Sequence, residues 1–203
     1  RRHADNHRHI LLIGHAGHPE VEGTMGQVNP DEVTLIETVD DARHVTPPEG
    51  ADLAFATQTT LSVDDTAEII SVLQFRFPDI SGPRGEDICY ATTNRQKAVK
   101  DIAGAVDLML VLGAENSSNS KRLVEVAKLA GAKAAFLIAD KDAIDWSLID
   151  EADHIGLSAG ASAPETLVED VVSVLRQRYQ IDISEHGKIL ETVNFKLPAI
   201  LAS

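Results

Sequence analysis

Residues 9–20 read HILLIGHAGHPE, residues 53–62 LAFATQTTLS and residues 108–120 LMLVLGAENSSNS. Each starts as a short apolar run and gives way to small polar side chains. A strand with one wet face alternates apolar and polar residues; an unbroken run is expected where helices cover both faces of a sheet. The runs Val33–Ile36, Ala134–Ile138 and Ile155–Ser158 fit the same description. With His9–Ile13, Leu53–Ala56 and Leu108–Leu112 they predict six strands. Amphipathic stretches lie between them. Ala67, Ile70, Leu73 and Phe77 share a helical face opposite Asp64, Asp65, Glu68 and Gln74. Leu123, Ala127 and Ala130 form a second stripe, and Leu167, Val171 and Leu175, beside Val168 and Val172, a third. Strands alternating with helices predict an α/β fold with parallel sheets.

The alternation breaks once. In FPDISGPRGED, residues 77–87, two prolines and two glycines interrupt the periodicity. This divides the chain into one α/β lobe over 9–80, a linker over 81–88, a second lobe over 89–180 and a tail over 181–203. Within the tail, LETVNFKLP (residues 190–198) alternates without a following helix, as an edge strand would. The opening RRHADNHRH lacks both the apolar core of a signal peptide and the pattern of a transit peptide, so residues 1–8 are expected to be the end of an upstream region. The echo between AGHPE (16–20) and AGASAPE (159–165) is compatible with repeated units.

The 203 residues carry 43% apolar side chains, which excludes a disordered chain. With 18 Lys+Arg against 32 Asp+Glu, the net charge of −14 argues against a nucleic-acid or anionic-membrane surface. No apolar run reaches the roughly 18–20 residues of a membrane helix. A single cysteine excludes a disulfide scaffold and suits the cytoplasm.

In open α/β sheets ligands bind beyond the carboxyl ends of the strands. Five such junctions are crowded with hydroxyl, amide or imidazole groups: GHAGHPEVEG, TQTTLS, DICYATTNRQ, GAENSSNSKR and SAGASAPE. In NSSNS, Asn116, Ser117, Ser118, Asn119 and Ser120 surround a helix N-terminus, a seat for phosphate without a Walker lysine. One of them is also expected to cap the helix. Ser162 opens S-A-P-E, the pattern of a capping box with Glu165, and its hydroxyl would still face a pocket mouth. Ser62, followed by Asp65, has the pattern of a plain cap. His15, His18 and Glu20 fall within six residues. They suit either a metal or proton delivery to an anionic substrate, with Glu22 competing for the acid's place. Cys89 precedes ATTNRQ at a predicted helix start, where a thiolate is favoured, as nucleophile or as metal ligand.

The stretches GHAGHPEVEGTMGQ, ATQTTLSVDDT, GPRGEDICYATTNRQ, NSSNSKRL and SAGASAPE, in this order, resemble the 4-hydroxy-3-methylbut-2-enyl diphosphate reductase family of isoprenoid biosynthesis, from about His9 to Leu175. The resemblance implies two of three pseudo-symmetric lobes around a 4Fe-4S cluster held by three cysteines. Cys89 matches the third, and the regions carrying the other two precede His9 in the family, so the chain resembles a partial one. It further implies that Glu20 donates a proton and that His18, Ser117, Ser118, Asn119 and Ser162 contact the allylic diphosphate. Thr59 would then lie near the substrate hydroxyl. The implied reaction is reductive dehydroxylation to isopentenyl and dimethylallyl diphosphate, with ferredoxin or flavodoxin as electron donor. The alternative is an inactive diphosphate-binding piece that lacks the cluster.

Overall fold

A computed structural model describes residues 8–83 and 87–187. It holds two parallel three-stranded sheets. The first has strands β1 (His9–Ile13), β2 (Val33–Ile36) and β3 (Leu53–Thr57) in the order β2-β1-β3. The second has β4 (Leu108–Leu112), β5 (Ala134–Ile138) and β6 (Ile155–Ala159) in the order β5-β4-β6. Four strands have the bounds expected from the apolar runs, and β3 and β6 each continue one residue further. In register, Leu11 lies opposite Thr34 and Phe55, and Leu110 opposite Phe136 and Leu157.

The central strands are buried along their whole length, because their side chains alternate between two helical layers. Leu11 and Ile13 pack with residues of α2 (Val39–His44) and α3 (Val63–Arg76). Ile10 and Leu12 face the other way, onto Val21 and Met25 of α1 (Pro19–Met25). In the second sheet Met109 and Val111 meet α4 (Tyr90–Ala103) and α5 (Ser118–Leu129). Leu108, Leu110 and Leu112 meet α6 (Trp146–Asp150) and α7 (Glu165–Arg178). At roughly 1.5–3 kcal/mol for each fully buried large aliphatic, these four layers dominate the cohesion of the fold.

Two expectations need correction. The buried stripe of α3 is Thr66, Ile69 and Leu73, with Ala67 exposed and Ile70 only half-buried. Phe77 lies just past the helix end as its C-cap. A polar residue, Thr66, occupies the core position that the apolar pattern had given to its neighbour. Ser162 does not cap α7. Pro164 is the N-cap, with φ −61° and ψ 140°, and makes no side-chain capping bond. A residue that precedes proline is pushed out of the helical region, which delays the start of the helix. By contrast Ser62 caps α3 by accepting from Asp65 N (3.3 Å), and Ser117 caps α5 by accepting from Ser120 N (3.2 Å).

The two sheets repeat one another. Gly14 N donates to Ile36 O and Gly113 N to Ile138 O, both at 3.0 Å. Gln58 N donates to Ile13 O and Gly160 N to Leu112 O, both at 2.8 Å. The loop after β1 therefore corresponds to the loop after β4, and the loop after β3 to that after β6. AGHPE and AGASAPE fall on non-equivalent loops, so their echo does not mark the repeat. After α3 the chain returns to the edge of β3, where Ser81 pairs with Ala54 and Asp87 Oδ2 accepts from Thr57 N (3.0 Å). The expected edge strand over 190–198 lies outside the described residues.

Candidate active site

The strand-end loops converge. The loop after β1 enters α1 through His18, whose Nδ1 accepts from Glu20 N (3.2 Å) and so caps the helix. An accepting Nδ1 puts the ring proton on Nε2, which lies 2.7 Å from Ser118 Oγ and donates to it. Ser118 is the first residue of α5, so this bond joins the two sheets' loops. Both oxygens of Glu20 are engaged by Thr59: Oε1 accepts from its backbone N (3.0 Å) and Oε2 from its hydroxyl (2.9 Å). Thr59 O in turn accepts from Cys89 N (3.1 Å). The thiol of Cys89 stands exposed at the N-cap of α4. An unbroken run of contacts thus links Cys89, Thr59, Glu20, His18 and Ser118.

The N-terminal turn of α5 is built for close approach. Asn119 and Ser120 are buried there. Neither the amide oxygen nor the amide nitrogen of Asn119 has a hydrogen-bond partner among the described residues. Leaving such groups unpaired is costly, and a role at a functional site is one reason a fold retains them. Ser120 Oγ donates to Ser117 Oγ (2.9 Å) and fills the space beside two backbones. A Cβ placed on Gly113 would come within 2.1 Å of this hydroxyl, and one on Gly160 within 2.2 Å. Ser162, exposed, sits two residues beyond Gly160 in the loop that presses on this turn.

Residues to which the sequence assigned no role hold these loops. Gln58, buried at the end of β3, accepts from His15 N (3.1 Å) and donates to Thr60 Oγ1 (2.9 Å). Gln96, buried in α4, accepts from Val63 N (3.0 Å) and donates to Leu61 O (2.8 Å). Both lie inside the polar motifs and are buried like Asn119, but their amides are spent on partners within the chain. The H-x-x-H pair does not converge on one point: His18 faces Ser118, and His15 Nε2 faces the Arg122 guanidinium at 2.9 Å. No three His, Cys, Asp or Glu side chains come together as a metal site among the described residues.

The family model for the LytB protein matches residues 1–176. The chain belongs to the LytB family. Among similar LytB proteins, one from Hyphomonas neptunium is named 4-hydroxy-3-methylbut-2-enyl diphosphate reductase; it is 58% identical over 99% of this chain and 64% of its own length. Another of the same name from Gluconobacter oxydans is 56% identical over 96% of this chain and 58% of its own length. The chain therefore spans about three-fifths of the curated LytB relatives it matches. A solved structure, an E-1-hydroxy-2-methyl-but-2-enyl-4-diphosphate reductase from Plasmodium falciparum, superposes with a TM-score of 0.80 at 36% identity, covering 86% of this chain and 54% of that one.

The LytB resemblance implies an iron–sulfur cluster, which takes its ligands chiefly from several thiolates. This chain has one cysteine. Its residues alone do not fit a cluster, and Cys89 can supply one thiolate of such a set.

Proposed function

We propose that this chain carries the substrate-binding and proton-handling face of an enzyme that reductively dehydroxylates 4-hydroxy-3-methylbut-2-enyl diphosphate to isopentenyl and dimethylallyl diphosphate. The observation that supports this best is the continuous set of contacts from Cys89 through Thr59, Glu20 and His18 to Ser118. It brings a thiol, a carboxyl group, an imidazole and a helix N-terminus to one locality.

The diphosphate would sit on the first turn of α5, where free backbone N–H groups and the helix dipole favour an anion. Ser117, Ser118 and Asn119 would bind it, with the unpartnered Asn119 amide as a waiting donor, and Ser162 would close the seat from the loop after β6. His18, its Nε2 proton directed at Ser118, has a donor to offer as well. Glu20 would hand a proton to the departing hydroxyl. The Thr59 hydroxyl is suited to work beside it, since it donates to an ionised carboxylate and can turn to accept from a protonated one. Cys89 would be one ligand of a 4Fe-4S cluster whose other thiolates come from outside these 203 residues, with ferredoxin or flavodoxin as electron donor. By itself the chain would then bind diphosphate without turnover.

Two measurements on the 203-residue chain test this. Calorimetric titration with inorganic pyrophosphate should give saturable binding that Asn119→Ala weakens; no binding overturns the diphosphate seat. Anaerobic reconstitution with iron and sulfide should leave no stable brown chromophore. A stable 4Fe-4S spectrum from this chain alone would overturn the single-thiolate reading.

A further inference from the structure

Arg122 lies one turn beyond Ser118 on α5, on the same face of the helix. Its side chain is only 16% exposed. One guanidinium nitrogen is 2.9 Å from His15 Nε2, in the loop after β1. The other is 2.6 Å from Glu125 and 3.6 Å from Asp65 of α3. Two half-exposed carboxylates stand beside it, so the charge of Arg122 already has partners within the chain. That separates it from a phosphate ligand and makes it a structural tie.

The chemistry of that tie is directional. A guanidinium has only donors, so His15 Nε2 must accept and the ring proton of His15 rests on Nδ1. His18, three residues on, has the opposite tautomer and donates to Ser118. Two bonds of opposite polarity thus clasp one loop of the first sheet to one turn of α5: Arg122 to His15 and His18 to Ser118. We propose that Arg122 is a positioning residue that, through His15, holds the N-terminal turn of α5 in register with His18 and Glu20. The pyrophosphate part of the test below rests on the reading under Proposed function; the imidazole part does not.

In the 203-residue chain, Arg122→Gln should shift the His18 imidazole nitrogen resonances toward those of Ser118→Ala, and should weaken pyrophosphate binding roughly tenfold, the scale of one lost charge-assisted hydrogen bond. His15→Leu, which removes the acceptor, should reproduce both effects. His15→Gln, which keeps one, should stay near the wild type. This split separates a directional bond from mere packing. Wild-type His18 resonances in both Arg122→Gln and His15→Leu would overturn the proposal, as would equal losses in His15→Gln and His15→Leu. If Arg122→Gln fails to fold, the two His15 variants decide. If the wild-type chain takes up no pyrophosphate, the diphosphate reading falls while the imidazole resonances still judge the clasp.

Discussion

Glu20 and Asn119 differ in what surrounds them, and the difference sets what each substitution should do. Both oxygens of Glu20 are held by Thr59, so Glu20→Gln should keep the shape of the loop and remove the transferable proton. In the reductase proposed above, turnover should fall by roughly 10²–10⁴, the usual loss for a general acid, with substrate affinity nearly kept. Turnover at the wild-type level would take Glu20 out of that role. Asn119 is a buried amide without partners among the described residues, which burdens the ligand-free protein. Asn119→Leu should raise ligand-free stability by about 1 kcal/mol and weaken pyrophosphate binding. A loss of stability in thermal melts would mean that the amide serves the fold. At this scale the sequence was legible where a residue type is rare for its position: a lone thiol at a helix start, a cluster of hydroxyls and amides at a strand end. It was not legible for Gln58, Gln96 and Arg122. Their side chains act on backbone or side-chain groups of other strand-end loops and helices, at separations of up to 107 residues, and no local pattern encodes that.

Among the elements, strands were easiest to read, because a short unbroken apolar run between polar loops must be covered on both faces. Helix faces were harder: α3 buries Thr66 where an apolar pattern would choose otherwise, and α7 starts after its proline. At the other end of the second sheet, just before β4, Asp107 ties the three strands together. It accepts from Lys133 Nζ (2.5 Å), Asp153 N (3.1 Å) and His154 N (2.9 Å). The Lys133 bond, then the His154 N–H, lowers its carboxyl to about 2. A carboxyl held below its unfolded value, about 3.9, stabilises the fold above that pH, and the contribution disappears as pH falls from about 4 toward 2. Asp107→Asn should therefore lower the melting temperature at neutral pH and flatten its decline between pH 4 and 2. An unchanged acid limb would show that the group contributes nothing to stability.

Taken whole, the molecule is one α/β unit written twice, and the second copy differs where the proposed chemistry would need it. In the first copy, the space beside the strand end is filled by Val21 and the Gln58 side chain: a Cβ on Gly14 would lie 2.6 Å from Val21 Cγ2 and 3.3 Å from Gln58 Oε1. In the second, Ser120 stands at the Val21 position and Gly160 at that of Gln58, so a small hydroxyl and bare backbone replace an isopropyl group and an amide. The broken periodicity at residues 77–87 falls between the two sheets. The resemblance implied that the lobes are pseudo-symmetric, but which loops correspond was not legible: Gly14 and Gly113 make matching bonds, as do Gln58 and Gly160, and the second pair shares no residue type. One hydroxyl therefore guards two neighbours unequally. With Ser120 trimmed to alanine, a methyl on Gly160 would still have 3.5 Å to its Cβ, whereas one on Gly113 would collide at 2.6 Å. Ser120→Ala should thus act as a suppressor of Gly160→Ala and not of Gly113→Ala, read as recovered yield and melting temperature in the double variants. Rescue of both, or of neither, would mean that the two strand ends do not share this joint.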